Sequence, residues 1–124
     1  MPSCLVIDEN NIVLKVASRV LSGLGAETVG ALNMNEALAA LAQRSNGFDL
    51  VLLSATMPDM PVDVALRTLR AGAVPRAPIL VSLVESNLGL MTRSKRAGAS
   101  GFLFRPFDRA TLTAWVQPYL PVAA

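Results

Sequence analysis

Short apolar runs, spaced along the chain and separated by helix-patterned segments, constrain the fold more than any single motif. Cys4–Ile7, Leu50–Leu53 and Ile79–Val84 are too short for helices and almost unbroken, Ser82 being the one interruption. Runs of this kind read as strands buried on both faces, the condition of a central strand in a parallel sheet. Glu27–Leu32 is a weaker strand candidate, and Gly101–Phe104 a fifth. A first helix is expected from Asn11, with Ile12, Val13, Val16, Val20 and Leu21 on its apolar side and Gly23 and Gly25 closing it. Further helices are expected over Asn35–Gln43, Pro61–Ala71 and Asn87–Arg96. A last one is capped by Asp108 and ended before Pro118. Strand and helix thus alternate five times, which predicts a parallel sheet with helices on both faces. No repeat, linker or low-complexity segment interrupts residues 1–124, which read as one domain.

The composition allows such a fold and excludes several chemistries. A 124-residue chain that is 52% hydrophobic can bury roughly two-thirds of its unfolded surface and needs no staples. The mean hydropathy is high, +0.47, yet no apolar stretch approaches the ~18 residues of a membrane span. The opening MPSCLVIDEN has no basic segment and reaches Asp8 and Glu9 early, unlike a signal peptide, so the cytoplasm is the expected compartment. There is no histidine, which removes Ser-His-Asp and Cys-His catalysis and imidazole metal ligation. Cys4, the only cysteine, lies in an apolar run and reads as a buried inert thiol. The net charge of +2 gives little reason to expect a nucleic-acid partner.

In open α/β sheets the functional crevice lies at the carboxyl ends of the strands. Three strand ends carry polar groups there: Asp8-Glu9, Ser54 in the stretch FDLVLLSATMPDM, and Arg105. Adjacent acids can hold a hard divalent cation through oxygen, or can simply favour a helix N-terminus. Ser54 would need a neighbouring base to act as a nucleophile.

The segments LVIDEN at 5–10, DLVLLSATMPDM at 49–60, APILVSLV at 77–84 and AGASGFLFRPF at 97–107 resemble the receiver domain of bacterial two-component response regulators. The likeness runs from Cys4 to about Leu120. It implies a flavodoxin-like α/β fold, a (βα)5 three-layer sandwich with strand order 2-1-3-4-5. It also implies a site where two acids after the first strand bind Mg²⁺ and an aspartate ending the third accepts phosphoryl from a histidine kinase. A Thr or Ser ends the fourth strand, and a Lys precedes Pro-Phe. This chain keeps Asp8 and Glu9 but has Ser54 at the acceptor position, Leu83 at the hydroxyl position and Arg105 at the lysine position. Ser82 neighbours Leu83, but alternate strand residues face opposite ways, so it is not expected to substitute.

These departures predict a chain that is not an enzyme and no longer accepts phosphoryl. Guanidinium pairs bidentately with carboxylate, so Arg105 is expected to fold onto Asp8 or Glu9 and take the space of a Mg²⁺, leaving that site weak or lost. The function expected is contact with a histidine kinase, phosphotransfer protein or other signalling protein, or homodimerisation through the face of the fourth helix, fifth strand and fifth helix. Phe102 at the family's switching position, Trp115, and the basic Arg93, Lys95 and Arg96 are the candidates on that face. The alternatives are a Mg²⁺-dependent acceptor using Ser54 or another residue, and the receiver part of a longer regulator. The closing PVAA, where no linker begins, favours a stand-alone chain.

Overall fold

The computed structural model describes residues 1–120. Five strands, β1 (Ser3–Ile7), β2 (Glu27–Ala31), β3 (Leu50–Ser54), β4 (Ile79–Leu83) and β5 (Gly101–Phe104), form one parallel sheet in the order β2-β1-β3-β4-β5. The intervening helices are α1 (Asn11–Gly23), α2 (Met34–Ala42), α3 (Val62–Ala71), α4 (Leu88–Ala97) and α5 (Arg109–Val116). The expected alternation and strand order are both present.

Strand parity divides the core in two. Leu5, Ile7, Val51, Leu53, Val81 and Leu83 face one side, against Met34, Ala37 and Leu41 of α2 and Ala65, Leu66 and Leu69 of α3. Cys4, Val6, Leu50, Leu52, Leu80 and Leu103 face the other, against Leu14, Ala17 and Leu21 of α1 and Leu112 and Val116 of α5. β1, β3 and β4 are buried at every position, as runs without polar alternation require. The edge strand β2 is buried only at Ala31, which explains its weaker signal in the sequence.

Caps set the helix starts. Asn10, Asn33, Asn87 and Asp108 each accept hydrogen bonds from backbone N–H groups of the first turn, and Asp108 forms a full capping box with Thr111. α5 stops at Val116 as Pro118 demands, and the chain continues through a short 3₁₀ turn over Gln117–Tyr119. Pro61 precedes α3 as its N-cap, without a side-chain bond, and so falls just before the first turn rather than in it. β4 ends at Leu83 and β2 at Ala31, one residue short of the expected limits, while α2 starts one residue early at Met34.

Candidate functional site

Asp8, Ser54 and Arg105 follow β1, end β3 and follow β5, so the sheet brings them to one edge although up to 97 residues separate them. The β4–β5 ladder runs one bond past the strands, Arg105 N–H donating to Leu83 O at 2.7 Å. That bond holds the Arg105 backbone, and its side chain turns inward, 9% exposed. Arg105 Nη1 lies 3.4 Å from Asp8 Oδ2 and 3.4 Å from Glu9 Oε1. The expected folding of Arg105 onto the acids is therefore present, and it engages both. Arg105 Nε is buried without a partner among the described residues, so the guanidinium is held through its two Nη groups.

Thr56 completes the arrangement, and sequence reasoning passed over it. Its Oγ1 donates to Glu9 Oε1 at 2.7 Å, accepts from Arg105 Nη2 at 3.3 Å and lies 3.1 Å from Ser54 Oγ. Ser54 Oγ also accepts from Thr56 N–H at 3.2 Å, a local turn that folds the loop back over the strand end. Ser54 is thereby buried (1% exposed) beneath an exposed Thr56. The available signal was the pattern Ser-x-Thr at a strand end, because two hydroxyls two residues apart can share one turn.

The two acids differ electrostatically although they share one cation. Burial pushes the Asp8 carboxyl above its ordinary 3.8, outweighing the Asn10 backbone N–H and Arg105, which favour the ionised form. Glu9 is more open. Burial raises it too, but the Thr56 hydroxyl, its own backbone N–H, the Ser54 hydroxyl and Arg105 together hold it below its ordinary 4.5.

Ser82 and Leu83 lie on opposite faces, as the alternation predicts; Ser82 is in register with Ser54, and both line a cavity of about 10 Å³ with Asp8, Val13 and Phe107. Ser82 belongs to the Ser54 side of the sheet, with its Oγ buried and unpartnered among the described residues. Leu83 is buried on the other side, in the α2–α3 core. Cys4 is fully buried, and burial, with the charge of Asp49, pushes its thiol up to about 12.

On the α4–β5–α5 side, Phe102 is half-buried and packs against the core. Trp115 is also half-buried and meets Phe104 edge-on, ring centroids 6.4 Å apart. Arg93, Lys95 and Arg96 are all exposed, and Lys95 Nζ donates to Ser100 O at 3.1 Å across the α4–β5 turn.

The family model of the response regulator receiver domain matches residues 4–117. The chain belongs to this family. Among solved structures, the receiver resembles the chemotaxis response regulator CheY4 of Vibrio cholerae, with a TM-score of 0.89 and 27% identity, covering 97% of this chain and 99% of that one. It is 30% identical over 112 residues to the DNA-binding transcriptional regulator NtrC of Salmonella typhimurium, covering 90% of this chain and 23% of that protein. It is 28% identical over 120 residues to the hybrid signal transduction histidine kinase L of Dictyostelium discoideum, covering 93% of this chain and 7% of that protein. The chain thus spans less than a quarter of the length of these two curated relatives. No helix among the described residues is long and apolar enough to cross a membrane.

Proposed function

We propose that this chain is a receiver that has lost phosphoryl acceptance and signals through protein contacts in a two-component pathway, rather than as an enzyme. One observation carries this reading: the Arg105 guanidinium is seated against Asp8 and Glu9 beneath Thr56. A divalent cation on the two acids would need the space Arg105 occupies, and Ser54 supplies no third carboxylate. The residues present do not fit Mg²⁺. A histidine kinase or phosphotransfer protein is the partner class that receiver membership suggests, and the Phe102–Trp115 side with Arg93 and Arg96 is a surface for it or for a second copy.

A second reading keeps a working acceptor, on Ser54 or another residue. Its support is the exposed Thr56 hydroxyl, hydrogen-bonded to the Glu9 carboxylate as a nucleophile is to its base. Incubation with acetyl phosphate or a phosphorylated kinase plus Mg²⁺, followed by intact mass, separates the two. The first reading expects no added mass. A stable gain of roughly 80 Da, one phosphoryl group, supports the second, and peptide mapping places it.

A further inference from the structure

A cavity of about 10 Å³ lies on the Ser54 side of the sheet, walled in part by Val6, Leu52, Leu103 and Phe107. Three polar side chains break that apolar wall: Asp8 after β1, Ser54 at the end of β3 and Ser82 in β4, all buried. Ser54 and Ser82 are register partners. Paired positions on neighbouring strands stand about 4.8 Å apart, a span that one water between two short hydroxyls closes. Ser82 Oγ has no hydrogen-bond partner among the described residues, and folded proteins rarely leave a buried hydroxyl so.

The hydrogens around the cavity can be assigned. Thr56 Oγ1 spends its one hydrogen on Glu9 Oε1 at 2.7 Å, so Ser54 gives its own to Thr56 Oγ1 at 3.1 Å. Ser54 Oγ also accepts the Thr56 N–H and keeps one lone pair. Asp8 Oδ1 accepts from Asn10 N–H and Oδ2 from Arg105 Nη1, and each oxygen keeps a second lone pair. Ser54 and the ionised Asp8 therefore have only acceptors left. Ser82 is the one side chain on the cavity with a hydrogen to give.

We infer that the cavity holds one ordered water, which accepts from Ser82 Oγ and donates to Ser54 Oγ and to an Asp8 carboxylate oxygen. Three bonds are the usual number for a buried water, and roughly 10–15 Å³ is the room that a single one needs. A hard cation fits less well, because three side-chain oxygens fall short of its roughly six and Arg105 already compensates Asp8. The water ties β1, β3 and β4 together at the edge where Arg105 sits. It gives Ser54 and Ser82 a shared structural role that neither has alone.

A high-resolution crystal structure should show one density peak within roughly 2.6–3.1 Å of Ser82 Oγ, Ser54 Oγ and an Asp8 carboxylate oxygen. In solution, water-selective Overhauser spectra should connect a long-lived water to the Val6, Leu52 and Leu103 methyl groups. The sign of one substitution separates a bridged hydroxyl from an idle one. Ser82→Ala is expected to lower the folding equilibrium constant about five- to tenfold in urea unfolding, because the water loses its donor, whereas loss of an idle hydroxyl would be neutral or stabilising. Ser54→Ala with Ser82→Ala should fall short of the product of the two single losses by at least roughly threefold, because the hydroxyls meet only through the water. A dry cavity, a cation in it, a Ser82 hydroxyl turned to bond the main chain, a Ser82→Ala chain no less stable than the natural one, or independent losses in the double variant overturns the inference. None of these readouts depends on phosphoryl transfer, so failure here leaves the result of the phosphorylation assay untouched.

Discussion

Thr56 Oγ1 donates to Glu9 Oε1 at 2.7 Å and thereby fastens the loop after β3 to the loop after β1. The hydroxyl favours the ionised carboxylate. Thr56→Val is expected to move the Glu9 pKa up toward its ordinary 4.5, as read by carboxyl-carbon NMR titration. Thr56 is exposed and the bond is partly solvated, so the stability loss should be about 1 kcal/mol or less. An unchanged Glu9 titration would show that this bond does not form in solution.

Arg105 compensates a carboxylate that is 1% exposed. Removing one partner of a buried pair leaves an uncompensated charge and costs about 3–5 kcal/mol. Arg105→Met should therefore lose roughly 3 kcal/mol in urea unfolding at neutral pH, and adding Asp8→Asn should return part of it. Strictly additive effects of the two substitutions would mean that the residues are not coupled.

The two acids make opposite contributions to acid stability. Asp8 titrates above 3.8 in the folded state, so the folded protein holds that proton more tightly than the unfolded chain. Its contribution falls as pH rises from 3.8 to its raised value. Glu9 titrates below 4.5, so its contribution is present above 4.5 and is lost as pH falls through the depressed value. Asp8→Asn is expected to remove the first slope and Glu9→Gln the second, measured as unfolding free energy against pH from acid to neutral. The same slope in Asp8→Asn as in the natural chain would contradict the assignment.

Arg70 ties α3 to the start of β5, with no acidic partner among the described residues. Its guanidinium donates to Gly98 O, Val74 O, Ala77 O and Ser100 Oγ, the shortest contact being 2.6 Å to Ala77 O. Arg70→Ala strips these acceptors and is expected to cost about 2–3 kcal/mol. Gly98 has φ +118, and an added Cβ would stand 2.7 Å from Arg70 Cγ. Gly98→Ala should cost roughly 1–3 kcal/mol from backbone strain alone. A melting temperature unchanged in both variants would remove this clamp from the account of stability.

Restoring the family pattern tests the proposed loss of chemistry. Ser54→Asp, Leu83→Thr and Arg105→Lys together supply a carboxylate, a hydroxyl and a smaller cation. The triple variant is expected to gain roughly 80 Da from acetyl phosphate with Mg²⁺ where the natural chain gains nothing. The same added mass on both would reject the proposal.

The sheet was legible because its cause is local. Cys4–Ile7, Leu50–Leu53 and Ile79–Leu83 lack polar alternation, and only a strand covered on both faces accepts such a run. The start of the last helix followed from Asp108, whose short side chain satisfies backbone N–H groups within the same turn, as Asn10 and Asn87 also do for α1 and α4. Arg105 on the acids was foreseeable too, because guanidinium seeks carboxylate wherever the fold puts them within reach.

Tertiary structure decided what depends on parity and distance between strands. That Ser82 shares a cavity with Ser54 while Leu83 lies in the opposite core follows from the β3–β4 register, which no local pattern encodes. Thr56 reads as an ordinary loop hydroxyl until β1 and β3 lie side by side and bring Glu9 to it. The opposed titrations of Asp8 and Glu9, neighbours in sequence, arise because one carboxyl turns into the sheet and the other toward solvent. The sequence by itself determined which segments must be buried and which polar groups stand at the strand ends. Only the packed sheet decided which of those groups meet, because burial is a property of the segment and contact is a property of the register.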